Sequence, residues 1–292
     1  MQVATHLRFQ ERPSLSDLFF TMLRNAGPRS YQRSRTLALR ASWHDVRIDR
    51  AHVQAFHNAC ALPSQDGISI LYPMTLAYPP LLHMLSQRAA PLPLYRALNT
   101  RMLIQQYRPL STEDRGHLSL RVTNLQQVEK GLELDVHGRL DVEGNRVWEC
   151  FMTFLYRGRF DSVLSPAVVE RGDRVSQAAH CHEWRIPARG GFRFGRLCGD
   201  TNPIHYGKLW AKMLGFERDF AQPLLVIGQA LSHVPGLRAD RPLRLEARLK
   251  GPVYYERNLR MVMDEAVHGY RFDIYCAPNT RPSIGVQFGG LE

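Results

Sequence analysis

Lysine is scarce in this chain: four of the 38 basic residues are lysines and the rest are arginines. No two of the five cysteines (Cys60, Cys150, Cys181, Cys198, Cys276) form a CxxC pair. Their odd count and wide spacing argue against a disulfide framework and a structural zinc site, and fit reduced thiols used as small apolar residues. Gly and Pro, at 21 and 18, are not in excess, which excludes collagen-like and low-complexity classes. No apolar run reaches bilayer length. The longest, Phe220 to Leu231, contains Gln222, Pro223 and Gln229, so no membrane span is expected. The opening MQVATHLRFQERPSLSDLFF has scattered charges and no apolar core of signal-peptide length, so a cytoplasmic chain is expected. Neither a P-loop, nor GxGxxG, nor GxSxG occurs in a suitable context.

What is present is a chain of 292 residues, 44% hydrophobic and 22% charged, a globular composition with room for about two domains. The net charge of +11 draws anionic partners. The arginines nevertheless come in ones and twos, and the densest stretch, RSYQRSR (29–35), is short. Aromatics are not interleaved with Arg on one strand face, so nucleic acid is not the expected partner.

Hydrophobic periodicity organises the chain as α+β. SLSDLFFTMLR (14–24) predicts an amphipathic helix opened by Ser14 or Ser16. Leu37, Leu39, Ala41 and Trp43 alternate within an expected strand over 35–48, and Asp49 then caps a helix through Ala61. Residues 74–88 form a long apolar helix, with Pro79 and Pro80 marking its first turns as a separate segment. Period-two runs follow at Leu118–Val122 and Leu132–Val136, then a longer run, Val147–Tyr156, apolar on nearly both faces as in a central strand. The second half repeats this order: a helix from Asn202, an apolar segment Leu224–Val234, then strands over Leu243–Leu249, Tyr270–Cys276 and Ile284–Phe288. Repetition of one element order points to a duplicated domain. The expected division is a helix and linker at 1–27, a first copy at 28–165 and a second at 170–292, with the boundary in 157–177.

The most informative segment is FGRLCGDTNPIH (194–205). Gly199 permits a left-handed turn, Asn202 is a strong N-cap residue and Pro203 suits the first helical position. This places Asp200 before a helix and His205 in its first turn, both at a positive helix end. A carboxylate and an imidazole so close together can grip one water and exchange protons with it. The same string also serves as a plain helix cap.

Phe194, Gly195, Leu197, Cys198, Gly199, Asp200, Asn202, Pro203, Ile204 and His205 match the signature of the MaoC-like dehydratases, the (R)-specific enoyl-CoA hydratases or hydratase 2 family. KLWAKMLGFERDF (208–220) resembles the family's helix end, and KGPVY (250–254) its following strand. The resemblance implies a double hotdog, each half a curved antiparallel sheet wrapped around a long central helix. The first copy is then degenerate and the second carries the motif. It implies that Asp200 and His205 are catalytic, that Asn202 and Gly199 belong to the substrate site, and that water adds across trans-2-enoyl thioesters to give (3R)-hydroxyacyl thioesters, or the reverse. The substrate is a CoA or carrier-protein thioester, with no metal and no other cofactor.

Family members stabilise the thioester oxygen through an N–H at a His-Gly opening the central helix. Here Gln222 and Pro223 replace that pair, and Pro223 has no N–H. Leu224 N–H or the Gln222 side chain then substitutes, or the chain is a weakly active or non-catalytic thioester binder or partner subunit. A hotdog thioesterase needs an acidic residue on the central helix, and 224–234 carries none. His180 and His182 flank Cys181 without a third metal ligand. Arg193 and Arg196 are candidate phosphate contacts, and Glu183–Trp184 either line the mouth or pack in the sheet. Two hotdog halves within one chain make a monomer feasible and leave a homodimer open.

Overall fold

The computed structural model describes residues 3–25, 27, 37–63, 67–158, 160, 175 and 180–291. RSYQRSR and most of the expected boundary at 157–177 lie outside the described residues.

Cap chemistry starts the first helices where the sequence predicts. Ser14 Oγ accepts the Asp17 N–H at 3.3 Å and opens α1, Leu15–Arg24. Asp49 Oδ1 accepts the His52 N–H at 2.6 Å and opens α2, Arg50–Cys60. Strand β2, Leu37–Arg47, turns Leu39, Ala41 and Trp43 inward and leaves Arg40 and His44 exposed. Strand β1, Val3–Phe9, pairs in parallel with β2, where a helix and linker alone were expected.

Helix α3, Met74–Ser86, is buried along its whole length and runs through Pro79 and Pro80 as one element, which corrects the separate first segment. Proline removes the N–H that would reach the carbonyl four residues back. The Thr75 carbonyl freed by Pro79 instead accepts a hydrogen bond from Arg12 Nη2 at 3.4 Å.

The remaining elements are β3 (Ala97–Gln106), β4 (Arg115–Val128), β5 (Gly131–Val142), β6 (Asn145–Arg157), β7 (His180–Arg185), α4 (Gly190–Cys198), α5 (Lys208–Met213), α6 (Pro223–Leu231), β8 (Leu243–Leu249), β9 (Asn258–Ala266), β10 (Gly269–Cys276) and β11 (Ile284–Gly290). The strands form one sheet in the order β1-β2-β4-β5-β6-β3-β8-β11-β10-β9-β7. Taking β2–β6 and β7–β11 as two sets of five numbered in chain order, both sets have the spatial order 1-3-4-5-2. In each, helices follow the first strand, and the sets join where β3 and β8 pair antiparallel from Arg101↔Arg248 to Gln106↔Leu243. One hydrophobic core unites the sheet with α3 and α6. KGPVY is no strand: the chain leaves the sheet after Leu249, Pro252 has no N–H to give a ladder, and Tyr254 makes an isolated bridge to Phe220.

His83 on α3 is buried, and its Nε2–H donates to the Ser14 carbonyl at 2.8 Å, stapling α1 to the core. Burial holds its proton affinity below the ordinary value near 6.5. The unfolded chain therefore binds more protons at this position, and stability is lost as pH falls through and below about 6.5. Tm should decline between pH 7 and about 5.5, and His83→Gln should make that decline shallower in calorimetry.

Candidate functional site

The site is built where the two halves meet. Helix α4 ends at Gly199, whose φ of +82° lies in the left-handed region. A Cβ there would stand 2.6 Å from Pro79 Cγ on α3, so the position excludes side chains by backbone and by space. Gly195, one turn earlier, is equally constrained: a Cβ would meet the Asp200 carbonyl oxygen at 2.7 Å. The small residues of the motif let the chain fold back tightly on α4.

Asn202 acts as a cap, its Oδ1 accepting the Ile204 N–H at 3.3 Å. The element it opens is a single 3-10 turn, Pro203–His205, and α5 begins only at Lys208. The helix expected from Asn202 is thus cut to one turn, and Asp200 follows the C-terminal end of α4. The positive helix terminus inferred from the sequence does not exist here. Proximity is what holds: Asp200 Oδ2 lies 3.4 Å from His205 Nε2.

Hydrogen bonding fixes the orientation of both groups. Asp200 Oδ1 accepts the Asn202 N–H at 3.2 Å, leaving Oδ2 for His205. His205 Nδ1 is 2.9 Å from the Phe220 carbonyl, which can only accept, so Nδ1 carries a proton. In the neutral ring Nε2 is then a bare lone pair facing a carboxylate oxygen. Two acceptors at this separation are complemented by a proton or a water bonded to both. Side-chain exposures of 5% for His205 and 13% for Asp200 shield the pair from bulk solvent.

Beside the pair is a cavity of about 80 Å³, room for several water molecules. Its second-half wall includes Asp200, Asn202, His205, Phe220 and Pro223; its first-half wall includes Tyr78, Leu82, Asn99 and Phe154. The Asn99 amide and the Tyr78 phenol, which hydrogen-bond to each other, share that first-half wall. Burial and the Asp200 charge hold the Tyr78 phenol protonated far above its usual range, and act in the same direction on Tyr206. The Cys198 thiol is likewise pushed up by burial, which disfavours the reactive thiolate.

Gln222 and Leu224 part company. The Gln222 amide donates to the Gly191 carbonyl at 2.9 Å and its oxygen accepts from Tyr255 Oη at 3.3 Å, so this side chain ties α4 to the loop after β8. Pro223 takes the first position of α6, and the Leu224 N–H next to it has no acceptor among the described residues. Trp184 Nε1 donates to Gln229 Oε1 at 3.1 Å, placing Trp184 against α6 and away from the cavity lining. Arg193 and Arg196 are exposed on α4.

A supporting set was not read from the sequence. The Leu197 carbonyl, three residues before Asp200, accepts from Arg12 Nη2 at 3.1 Å and from His52 Nε2 at 2.9 Å. His52 Nδ1 in turn accepts from Tyr72 Oη at 3.1 Å. Burial and the Arg12 charge lower the proton affinity of His52, which suits that neutral tautomer. The prolines of α3 were the available signal, since a freed helix carbonyl needs a donor; for His52 and Asn99 the sequence holds none.

No protein-family model matches the chain. A curated protein of Mycobacterium tuberculosis (strain ATCC 25618 / H37Rv), 3-hydroxyacyl-thioester dehydratase X, is 25% identical over 249 residues, covering 85% of this chain and 88% of that protein. The crystal structure of HtdX from Mycobacterium tuberculosis is similar at a TM-score of 0.75, with 22% identity over 86% of this chain and 100% of that one. A MaoC-like dehydratase from Phytophthora capsici is similar at a TM-score of 0.70, with 15% identity over 87% of this chain and 96% of that one. The chain has the double hotdog fold of the MaoC-like dehydratases and is related in sequence to a 3-hydroxyacyl-thioester dehydratase.

Proposed function

We propose that this protein is a MaoC-like hydratase/dehydratase that interconverts trans-2-enoyl and (3R)-hydroxyacyl thioesters by acid–base chemistry at Asp200 and His205. The observation that carries the reading is the 3.4 Å approach of Asp200 Oδ2 to His205 Nε2 beside a cavity walled by both halves. A water in that cavity donates one hydrogen towards each acceptor. Its hydroxyl adds to C3, the pair takes up the released proton, and a proton is delivered to C2 on the same face. Asn202 holds Asp200 in place, and Gly199 lets the loop approach α3. The thioester oxygen accepts from the Leu224 N–H, and Asn99 on the facing wall is a further contact for the bound head group. Water is the only co-reactant, so the reaction needs no cofactor.

On this reading the chain comprises a segment at 1–27, a degenerate hotdog at 28–165 and the motif-bearing hotdog at 170–292. Its substrate is an acyl-CoA or carrier-protein thioester in the cytoplasm. Arg193 and Arg196, exposed on α4, are the candidate phosphate contacts on this reading. A second reading, a thioester binder without turnover, is favoured by the Pro223 ring and by the engaged Gln222 amide.

The test is hydration of crotonyl-CoA and longer trans-2-enoyl-CoAs, followed by loss of the conjugated thioester absorbance, with chiral analysis of the product. Turnover with a (3R) product is expected; binding of acyl-CoA without turnover establishes the second reading. Pro223→Gly separates the two donor arrangements. Because the Leu224 N–H is available, kcat should stay within about threefold, whereas a rise of about 10²-fold would reveal an absent oxyanion donor.

A further inference from the structure

A second concavity lies on the opposite face of the first half's sheet, away from α3. It encloses about 710 Å³, within the range of small-ligand sites. Strand register builds it. Across β1, β2, β4 and β5 one rung reads His6, Arg40, Arg121, His137, and the next reads Arg8, Ser42, Ser119, Arg139. His44 and His117, their rings 4.3 Å apart, extend the lining.

Like charges directly opposite on neighbouring strands destabilise a sheet. Arg40 faces Arg121, yet neither has an acidic partner among the described residues, and nor does Arg8. The nearby acids are already engaged: Asp141 with Arg139 at 2.6 Å, and Glu149 with His137 at 3.0 Å. The floor is polar as well, since His6 Nε2 meets Ser42 Oγ at 3.0 Å. Three uncompensated guanidinium groups therefore surround a recess with hydroxyls at its base.

We propose that this groove binds a small molecule carrying two or more phosphate groups, with Arg8, Arg40 and Arg121 as the phosphate contacts. Guanidinium forks suit phosphate oxygens. Four strands span about 15 Å, the scale of one nucleotide, and the basic residues are gathered into a hollow instead of a stripe that a duplex would follow. The site is distinct from the Asp200–His205 pair and does not depend on the reaction proposed there.

The test is calorimetric titration of the full chain at low and moderate salt with ADP, CoA and inorganic pyrophosphate, compared with Arg40→Gln/Arg121→Gln. ADP or CoA should bind the wild type and raise its Tm, and the double variant should bind about tenfold or more weakly. Without ligand the variant's Tm should equal or exceed the wild type's, because a repulsive pair is removed; a misfolded variant would not pass this check. Pyrophosphate binding as tightly as ADP assigns recognition to the phosphates, and weaker pyrophosphate binding adds the nucleoside; both support the proposal. Absence of binding by all three, equal binding by the variant, or tighter capture of duplex DNA through the same arginines would overturn it.

Discussion

Asp200→Asn and His205→Ala are each expected to lower turnover of a trans-2-enoyl-CoA by about 10³-fold or more, the scale of losing a positioned acid–base group. The Asn side chain keeps the Asp200 shape, and its oxygen can still accept the Asn202 N–H. Its NH₂ then points at His205 Nε2 and occupies the lone pair that water would use. His205→Ala removes that base and leaves the Phe220 carbonyl without its 2.9 Å donor, so a Tm decrease should accompany the lost rate. Because the proposed reaction has the two groups act on one water, the double variant should be hardly slower than either single one. KM for the thioester should move little in Asp200→Asn. If either variant keeps more than about a tenth of wild-type kcat, the pair is not the acid–base machinery.

The second large effect is structural in origin. Gly199→Ala should cost about 2–4 kcal/mol, combining left-handed strain with a forced contact in a packed interior. The Cβ would fall 2.6 Å from Pro79 Cγ and 2.7 Å from Pro79 Cδ, atoms of a rigid ring in a buried helix. Relief requires α4 and α3 to separate, which carries Asp200 away from His205. Denaturant unfolding should show a lower midpoint, and kcat should fall even where the variant is fully folded. Pro79→Ala in the Gly199→Ala background should recover part of both, because it removes the struck atoms. An unchanged midpoint in the single variant would refute the close approach.

Much of this fold was legible from local rules. Ser14 and Asp49 announced their helices, and clean alternation announced β4, β5, β8, β10 and β11. Strand β3 was missed because Asn99, Thr100 and Arg101 break its alternation at the seam, where its neighbour comes from the other half. Strand β9 escaped because Val262 and its flanking methionines are buried on both faces, and β1 because its partner lies beyond a helix. At the site the motif placed Asp200 and His205 together, yet the cap residues overstated the helix. Asn-Pro is good for a first turn, and Tyr206 at φ −151° then stops it. Contacts such as Gly199 with Pro79, or Arg12 with Leu197, join residues more than a hundred positions apart, and no local pattern encodes them.

The β3–β8 seam has one more consequence. It leaves Asp200 and His205 on one copy while the other contributes Tyr78, Leu82, Asn99 and Phe154 to the cavity. Under the proposed reaction, selectivity for the acyl group can drift through substitutions in the copy that performs no chemistry. A duplicated gene then has two parts free to evolve at different speeds: a conservative reactor and an adjustable mould.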